Sequence, residues 1–173
     1  SEAKLSDLDE IKIQNYLIKR NQNNYLKTNS VKDFVISNML GKMNGEMKLK
    51  NVASLFFSKE PYKWHPQNEV RVARFDGIQP IKIISQKDFK EDPSENIEQT
   101  ISFIRQNISK KFIIPENSPR RIEIEEYPPN AIREAVINAV AHRDYYSYDA
   151  IQINIFDDRI EISNPGGLPE GLT

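Results

Sequence analysis

Three polar residues, Glu134, Asn138 and His142, stand four apart in the stretch YPPNAIREAVINAVAHRDY. Steps of four drift only ~40° around a helix of 3.6 residues per turn, so on a helix these side chains form one leaning row. One face of such a helix can pack on a sheet while the other holds a ligand. Further on, Asn164, Pro165, Gly166 and Gly167 make a tight turn. Its exposed amides and missing side chains let a ligand approach the backbone closely. The row and the turn read together as half of a nucleotide pocket.

The elements that must position them follow from periodicity. Ile132, Ala135, Val136, Ala139 and Val140 fall at the i, i+3, i+4, i+7 and i+8 positions of an amphipathic helix, with Glu134 and Asn138 on the other side. Pro128 and Pro129 suit its first turn, where no amide donor is needed. Ile151, Ile153 and Ile155 share one face of a strand, and Ile160 and Ile162 one face of the next, with Asp157, Asp158 and Arg159 as the turn between.

Before this unit, Asp92 caps an expected helix with a core stripe of Ile97, Ile101, Ile104 and Ile108. Ile122 and Ile124 alternate with Glu123 and Glu125 in a strand. Nearer the start, Ser6 with Asp9 predicts a helix over 11–19, and Ser30 with Asp33 a second over 34–40 that Gly41 ends. The polar run from residue 21 is a connector, and 52–57 a third short helix. Residues 69–75 and 81–84 read as a hairpin turning near Asp76 and Gly77. The expected class is α+β, with helices layered on a mostly antiparallel sheet. Chain order divides it into a middle region, 1–90, and a second part, 91–173.

The chain has 173 residues, enough for a real core. It contains no cysteine, which excludes disulfides, thiolate metal sites and cysteine nucleophiles. No apolar run approaches a membrane span and no secretory signal opens the chain, so a cytoplasmic location without a membrane partner is expected. Twenty-four lysines and arginines balance 25 acidic residues, leaving no broad electrostatic footprint for DNA. The basic groups Lys42, Lys48, Lys50 and Lys110, Lys111, Arg120, Arg121 read as solvated surface.

Rival chemistries are weaker. His142, Arg143 and Asp144 mimic a protein-kinase catalytic loop, but Asp149 stands where that loop needs asparagine, and no glycine-rich loop precedes it. A zinc site lacks ligands, because His65 is the one other histidine. Trp64 reads as part of a packed loop between prolines rather than a stacking platform for a base. His142 is open to two readings, a phosphate contact or a cation at a helix C-terminus.

The helix motif Glu134-x-x-x-Asn138 and the later glycine turn resemble the Bergerat-fold ATPases shared by gyrase, the heat-shock chaperone, sensor histidine kinases and MutL. The wording of NAVAHRDY, IFDDRIEISNPGGLP and NVASLFFSKEPYKWHPQNEVRVARFDG is similar to a narrower group. These are bacterial transcriptional regulators related to RecG-type ATP-dependent helicases, of the Schlafen AlbA kind, and the likeness spans most of residues 5–173. It implies that 91–173 is the N-terminal half of a Bergerat-type domain, stopping before the lid. It further implies that Asn138 coordinates Mg²⁺ and that Glu134 orients or deprotonates water. Asn164, Gly166 and Gly167 would frame the adenine of ATP, with His142 near phosphate.

Asn164 stands where those ATPases carry aspartate, and Leu168 where they carry the last glycine. The resemblance leaves ATP turnover open for the full-length protein, and because the matched half stops before the lid, weak or absent turnover is expected of this chain alone. Self-association, and DNA contacts made by domains outside the chain, are the partner expectations. The alternative is a non-catalytic interaction or dimerisation module with a degenerate nucleotide pocket. No Gly-x-x-x-x-Gly-Lys-Ser/Thr phosphate loop of a helicase motor occurs.

Overall fold

The computed structural model describes residues 2–44, 46–113 and 122–166. In chain order the elements are α1 (Glu10–Lys19), α2 (Tyr25–Thr28), α3 (Val31–Ser37), β1 (Gly41–Asn44), β2 (Glu46–Leu49), α4 (Asn51–Phe57), α5 (Pro61–Trp64), β3 (Val70–Phe75), β4 (Ile83–Phe89), α6 (Pro93–Asn107), β5 (Lys110–Ile113), β6 (Ile122–Glu125), α7 (Pro129–Ala141), β7 (Ile151–Ile155) and β8 (Ile160–Ser163). The class is α+β, with strands that pair mostly antiparallel. Two compact units emerge, residues 1–68 with 90–94, and residues 69–89 with 95–173. Among the described residues no helix is long and apolar enough to cross a membrane.

The second unit carries a four-stranded sheet in the order β4-β3-β7-β8. The pair β3–β7 is parallel and the other two are antiparallel. Val70 faces Ile151 and Val72 faces Ile153. The alternate residues, Arg71 and Gln152, are exposed. One face of the sheet is therefore apolar and the other polar. The apolar face is covered by Ile101, Ile104 and Ile108 at the α6 end and by Ile132, Val136, Ala139 and Val140 from α7, with Ile97 at the margin.

The expected stripe on α6 is thus the observed one, and Ser94 N donates to the capping Asp92 Oδ1 at 3.0 Å. One residue departs on α7. Ala135, expected in the core, is exposed, because it sits at the rim of the apolar arc and a methyl group is too small to reach across it. The hairpin β3–β4, which chain order groups with the first ninety residues, joins this sheet because β3 pairs with β7. Strand β5 is a further element that periodicity does not reveal; it pairs antiparallel with β6.

The first unit is built on helices. Asp9 caps α1, its Oδ1 accepting from Ile11 N at 2.8 Å and Lys12 N at 3.4 Å. The expected cap was Ser6, but that residue lies within a single 3-10 turn, Leu5–Asp7. The Ser30–Asp33 capping box forms as expected at α3: Asp33 N donates to Ser30 Oγ at 3.2 Å, and Ser30 N to Asp33 Oδ2 at 2.8 Å. The Ser30 hydroxyl, which donates to Asp33 Oδ2 at 2.6 Å, and then the Ser30 amide hold the Asp33 carboxyl below its ordinary range. Helix α3 stops at Ser37, earlier than Gly41, and Met39 takes the positive φ of 53° that follows it.

Gly41 instead opens the hairpin β1–β2, where a Cβ would come within 2.9 Å of both Val35 Cγ1 and Met47 Sδ. It lets the strand lie close against α3. The core below is aromatic: Phe34 meets Phe57 edge to face at 5.3 Å, and Tyr16 meets Phe57 at 5.4 Å.

His65, at the end of α5, is buried in this unit with its Nε2 2.8 Å from Ser54 Oγ. Burial pulls its imidazole below the ordinary value of 6.5, only partly opposed by a hydrogen bond to the Asn51 backbone. The unfolded chain therefore takes up this proton first. Stability from His65 is complete above about pH 6.5 and is lost as pH falls below it. Urea unfolding followed across that range should show the loss in the native protein. His65→Gln should be less stable at neutral pH and should lack that acid-side slope.

Candidate functional site

Helix α7 begins with Pro129 at its first position, after Pro128. Its rotation is set by the burial of Ile132, Val136, Ala139 and Val140 against the sheet, each of the larger side chains contributing roughly 1.5–3 kcal/mol. Glu134, Asn138 and His142 consequently lie exposed on the outer side. Their exposed neighbours there include Ala131, Ala135 and Ala141, so the row stands above a surface of methyl groups. No side chain of the three has a hydrogen-bond partner among the described residues. His142 is the C-cap, its amide donating to Asn138 O at 3.0 Å. Asn138 and Glu134 lie roughly 6 and 12 Å back along the axis, at 1.5 Å per residue.

Beyond His142 the chain turns sharply. Arg143 is buried, and its Nη2 donates to the carbonyls of Asp149 at 2.8 Å and Ser147 at 3.4 Å. Its guanidinium carbon lies 5.1 Å from the centre of the Tyr145 ring. Burial pulls the Arg143 pKa down and pushes the Tyr145 phenol up. Tyr145 Oη donates to Val140 O at 3.3 Å, which ties this loop back to the last turn of α7.

The turn after β8 meets the same loop. Asp144 N donates to Pro165 O at 3.3 Å. Gly166 has φ +107°, and a Cβ built on it would lie 3.0 Å from Asp144 Cβ. The positive φ favours glycine there, and the space beside Asp144 is tight for any side chain. The contact seats Asn164, Pro165 and Gly166 beside the C-terminal end of α7. Asn164 is exposed. Gly167 lies outside the described residues, as does Leu168.

Periodicity identifies the row and the turn but not their junction. In sequence Asp144 stands out by its likeness to a kinase loop; in the structure its backbone amide anchors the glycine turn. Its Oδ1 meanwhile accepts from Tyr146 N at 2.8 Å. The tyrosines at 146 and 148 are exposed. His65 and Trp64 fall in the first unit, His65 bonded to Ser54 and Trp64 packed against that unit's core.

The described residues contain no group of three or more His, Asp or Glu that could hold a metal ion by themselves. The donors that the outer face of α7 does offer are a carboxylate and an amide oxygen. Those are hard oxygen ligands of the kind that bind Mg²⁺ when phosphate oxygens and water complete the shell.

Comparison with known proteins bears on the turn. Residues 149–173 match the family described as "Putative ATP-dependent DNA helicase recG C-terminal". That match takes in β7, β8 and the glycine turn, and leaves α7 outside it. No curated protein matches the chain. Among solved structures, the DIP2311 protein from Corynebacterium diphtheriae is similar with a TM-score of 0.71 and 15% sequence identity. The likeness covers 100% of this chain and 33% of that one. The two share a fold, and this chain spans about a third of the length of that protein.

The seat of the turn is open to a direct test. Gly166→Ala adds a Cβ against Asp144 at a φ that side chains rarely adopt, a strain of about 1–3 kcal/mol. Hydrogen exchange at the Asp144 amide should quicken by about tenfold or more. Exchange unchanged from the native rate would mean that the turn is not held there.

Proposed function

We propose that the outer face of α7 and the turn after β8 form part of an Mg²⁺-ATP site in a cytoplasmic transcriptional regulator with a Bergerat-type domain. The observation that carries this reading is the Asp144–Gly166 contact. It brings a turn that matches a RecG-related family to the end of the helix bearing Glu134 and Asn138. In this reading the Asn138 amide oxygen holds the metal, and the Glu134 carboxylate orients water or accepts its proton. Asn164, Gly166 and Gly167 border the adenine, and an amide oxygen at 164 can accept from the adenine amino group as a carboxylate would, without its charge. His142 contributes at the phosphate end.

Two features support that assignment. Glu134 and Asn138 sit one turn apart on one side of a helix, and both are free of competing partners among the described residues. The methyl surface around them leaves room for a ligand to lie close to the helix. The metal supplies charge neutralisation for the phosphates; every other contact belongs to this chain and to the further domains of the full-length protein. Self-association and DNA binding through those domains belong to the same proposal.

Calorimetric titration of the full-length protein with Mg²⁺-ATP tests it. Submillimolar binding is expected, abolished by Asn138→Ala and retained by the variant Lys87→Ala on the edge strand β4. ATP turnover by the 173-residue chain alone is expected to be absent. Silence in the titration would favour a module that uses the same exposed face for protein association, with Asn164 and Leu168 marking a pocket that has lost its ligand.

A further inference from the structure

The near-neutral balance of the whole chain conceals a strongly uneven distribution. Between residues 19 and 63 there are nine lysines and arginines and three acidic residues. Of the three, Asp33 is engaged in the cap of α3, and Glu60 lies 4.0 Å from Lys63. Glu46 pairs with Asn44 across the β1–β2 hairpin and shares the outer face with Lys42 and Lys48, so that face keeps a net positive charge with one carboxylate on it. A local excess of positive charge in an otherwise slightly acidic chain marks the region as a candidate for an anionic partner.

The hairpin concentrates that charge. Its register places Lys42 directly opposite Lys48. Side chains opposite one another in an antiparallel pair have Cβ atoms roughly 4.5–5.5 Å apart, and like charges there are destabilising. Both lysines are exposed, and neither has an acidic partner among the described residues. Lys50 continues the outward row just past β2 and is exposed as well.

The register is not free to relieve this repulsion. Gly41 faces Leu49, which is buried, and Met43 faces Met47, which packs on the core of the first unit. Lys50 N donates to Leu40 O at 2.8 Å and closes the root of the hairpin. Gly41 brings the root within van der Waals contact of Val35. A slip of one residue would turn Leu49 outward and the lysines inward. The packing of one face therefore holds two positive charges together on the other.

We infer that the outer face of the β1–β2 hairpin, carrying Lys42, Lys48 and Lys50, is a contact for the phosphate backbone of duplex DNA. A two-stranded ribbon is narrow enough to lie along or within a major groove. Lysines facing each other from adjacent strands meet the closely spaced charges of a duplex, which relieve their mutual repulsion. The contact is independent of sequence and of nucleotide binding at α7. It lies within this chain, beside any DNA contacts made by other domains.

The test is fluorescence anisotropy of a labelled duplex of about 20 base pairs with the 173-residue chain, at salt from about 50 to about 200 mM. Binding should weaken steeply with salt. Lys42→Glu combined with Lys48→Glu should lower affinity by at least about tenfold and flatten the slope of log K against log salt by about 1.8, the loss of two phosphate contacts. Lys87→Glu on β4 should leave affinity nearly unchanged. Lys48→Glu alone separates contact from structure. It sets a carboxylate opposite Lys42, so the unfolding midpoint should hold or rise while DNA affinity falls. The proposal is overturned by any of four results: no salt-dependent binding, affinity unaffected by the hairpin pair, affinity lost only together with stability, or binding to anionic lipid vesicles without binding to DNA.

Discussion

The parallel pairing of β3 with β7 is the contact on which the second unit depends. These strands lie far apart in sequence, and their register sets Val70 against Ile151 and Val72 against Ile153. That alignment makes one apolar surface out of two strands, and Val136 and its neighbours on α7 bury themselves on it. Because side chains alternate along a strand, a slip of β7 by one residue would present Gln152 to the helix in place of Ile151 and Ile153. The rotation of α7 follows from this register, and with it the exposure of Glu134 and Asn138. Their availability to a ligand is a consequence of strand pairing and not of any local preference for the surface.

The same logic governs the hairpin of the first unit. There the buried face, Leu49 and Met47, dictates what the opposite face must present, and lysines meet across the ladder as a result. In both units a packed apolar surface positions polar groups that have no partner among the described residues. Packing supplies the stability that unpartnered polar groups do not, and leaves those groups free for association.

Much of this was legible because long amphipathic segments carry strong periods. The isoleucines of α6 repeat at spacings of four and three, and those of β7 at two, so their buried faces could be read directly. Short elements escaped for identifiable reasons. Strands β1 and β2 have four residues each, with lysines and Glu46 on the outer face, and the glycine that opens β1 imitates a helix end. Met39 takes the conformation that glycine was expected to take. Ala135 occupies a periodic position at the rim of the apolar arc, where period alone does not imply burial, while Ala139 nearer its centre is buried. The row of Glu134, Asn138 and His142 was legible as spacing. The contact of Asp144 with Pro165 and Gly166 was not, because backbone groups make it between loops far apart in the chain.

The central claim is that the row on α7 and the turn after β8 serve one ligand. Amide chemical shifts of the isotope-labelled protein, followed during addition of Mg²⁺-ATP, report on both at once. The account predicts that perturbed signals gather in two stretches, from Glu134 to Asp144 and around Asn164 to Gly166, and that both follow a single binding curve. Perturbations confined to one stretch, or centred on residues elsewhere, would contradict it.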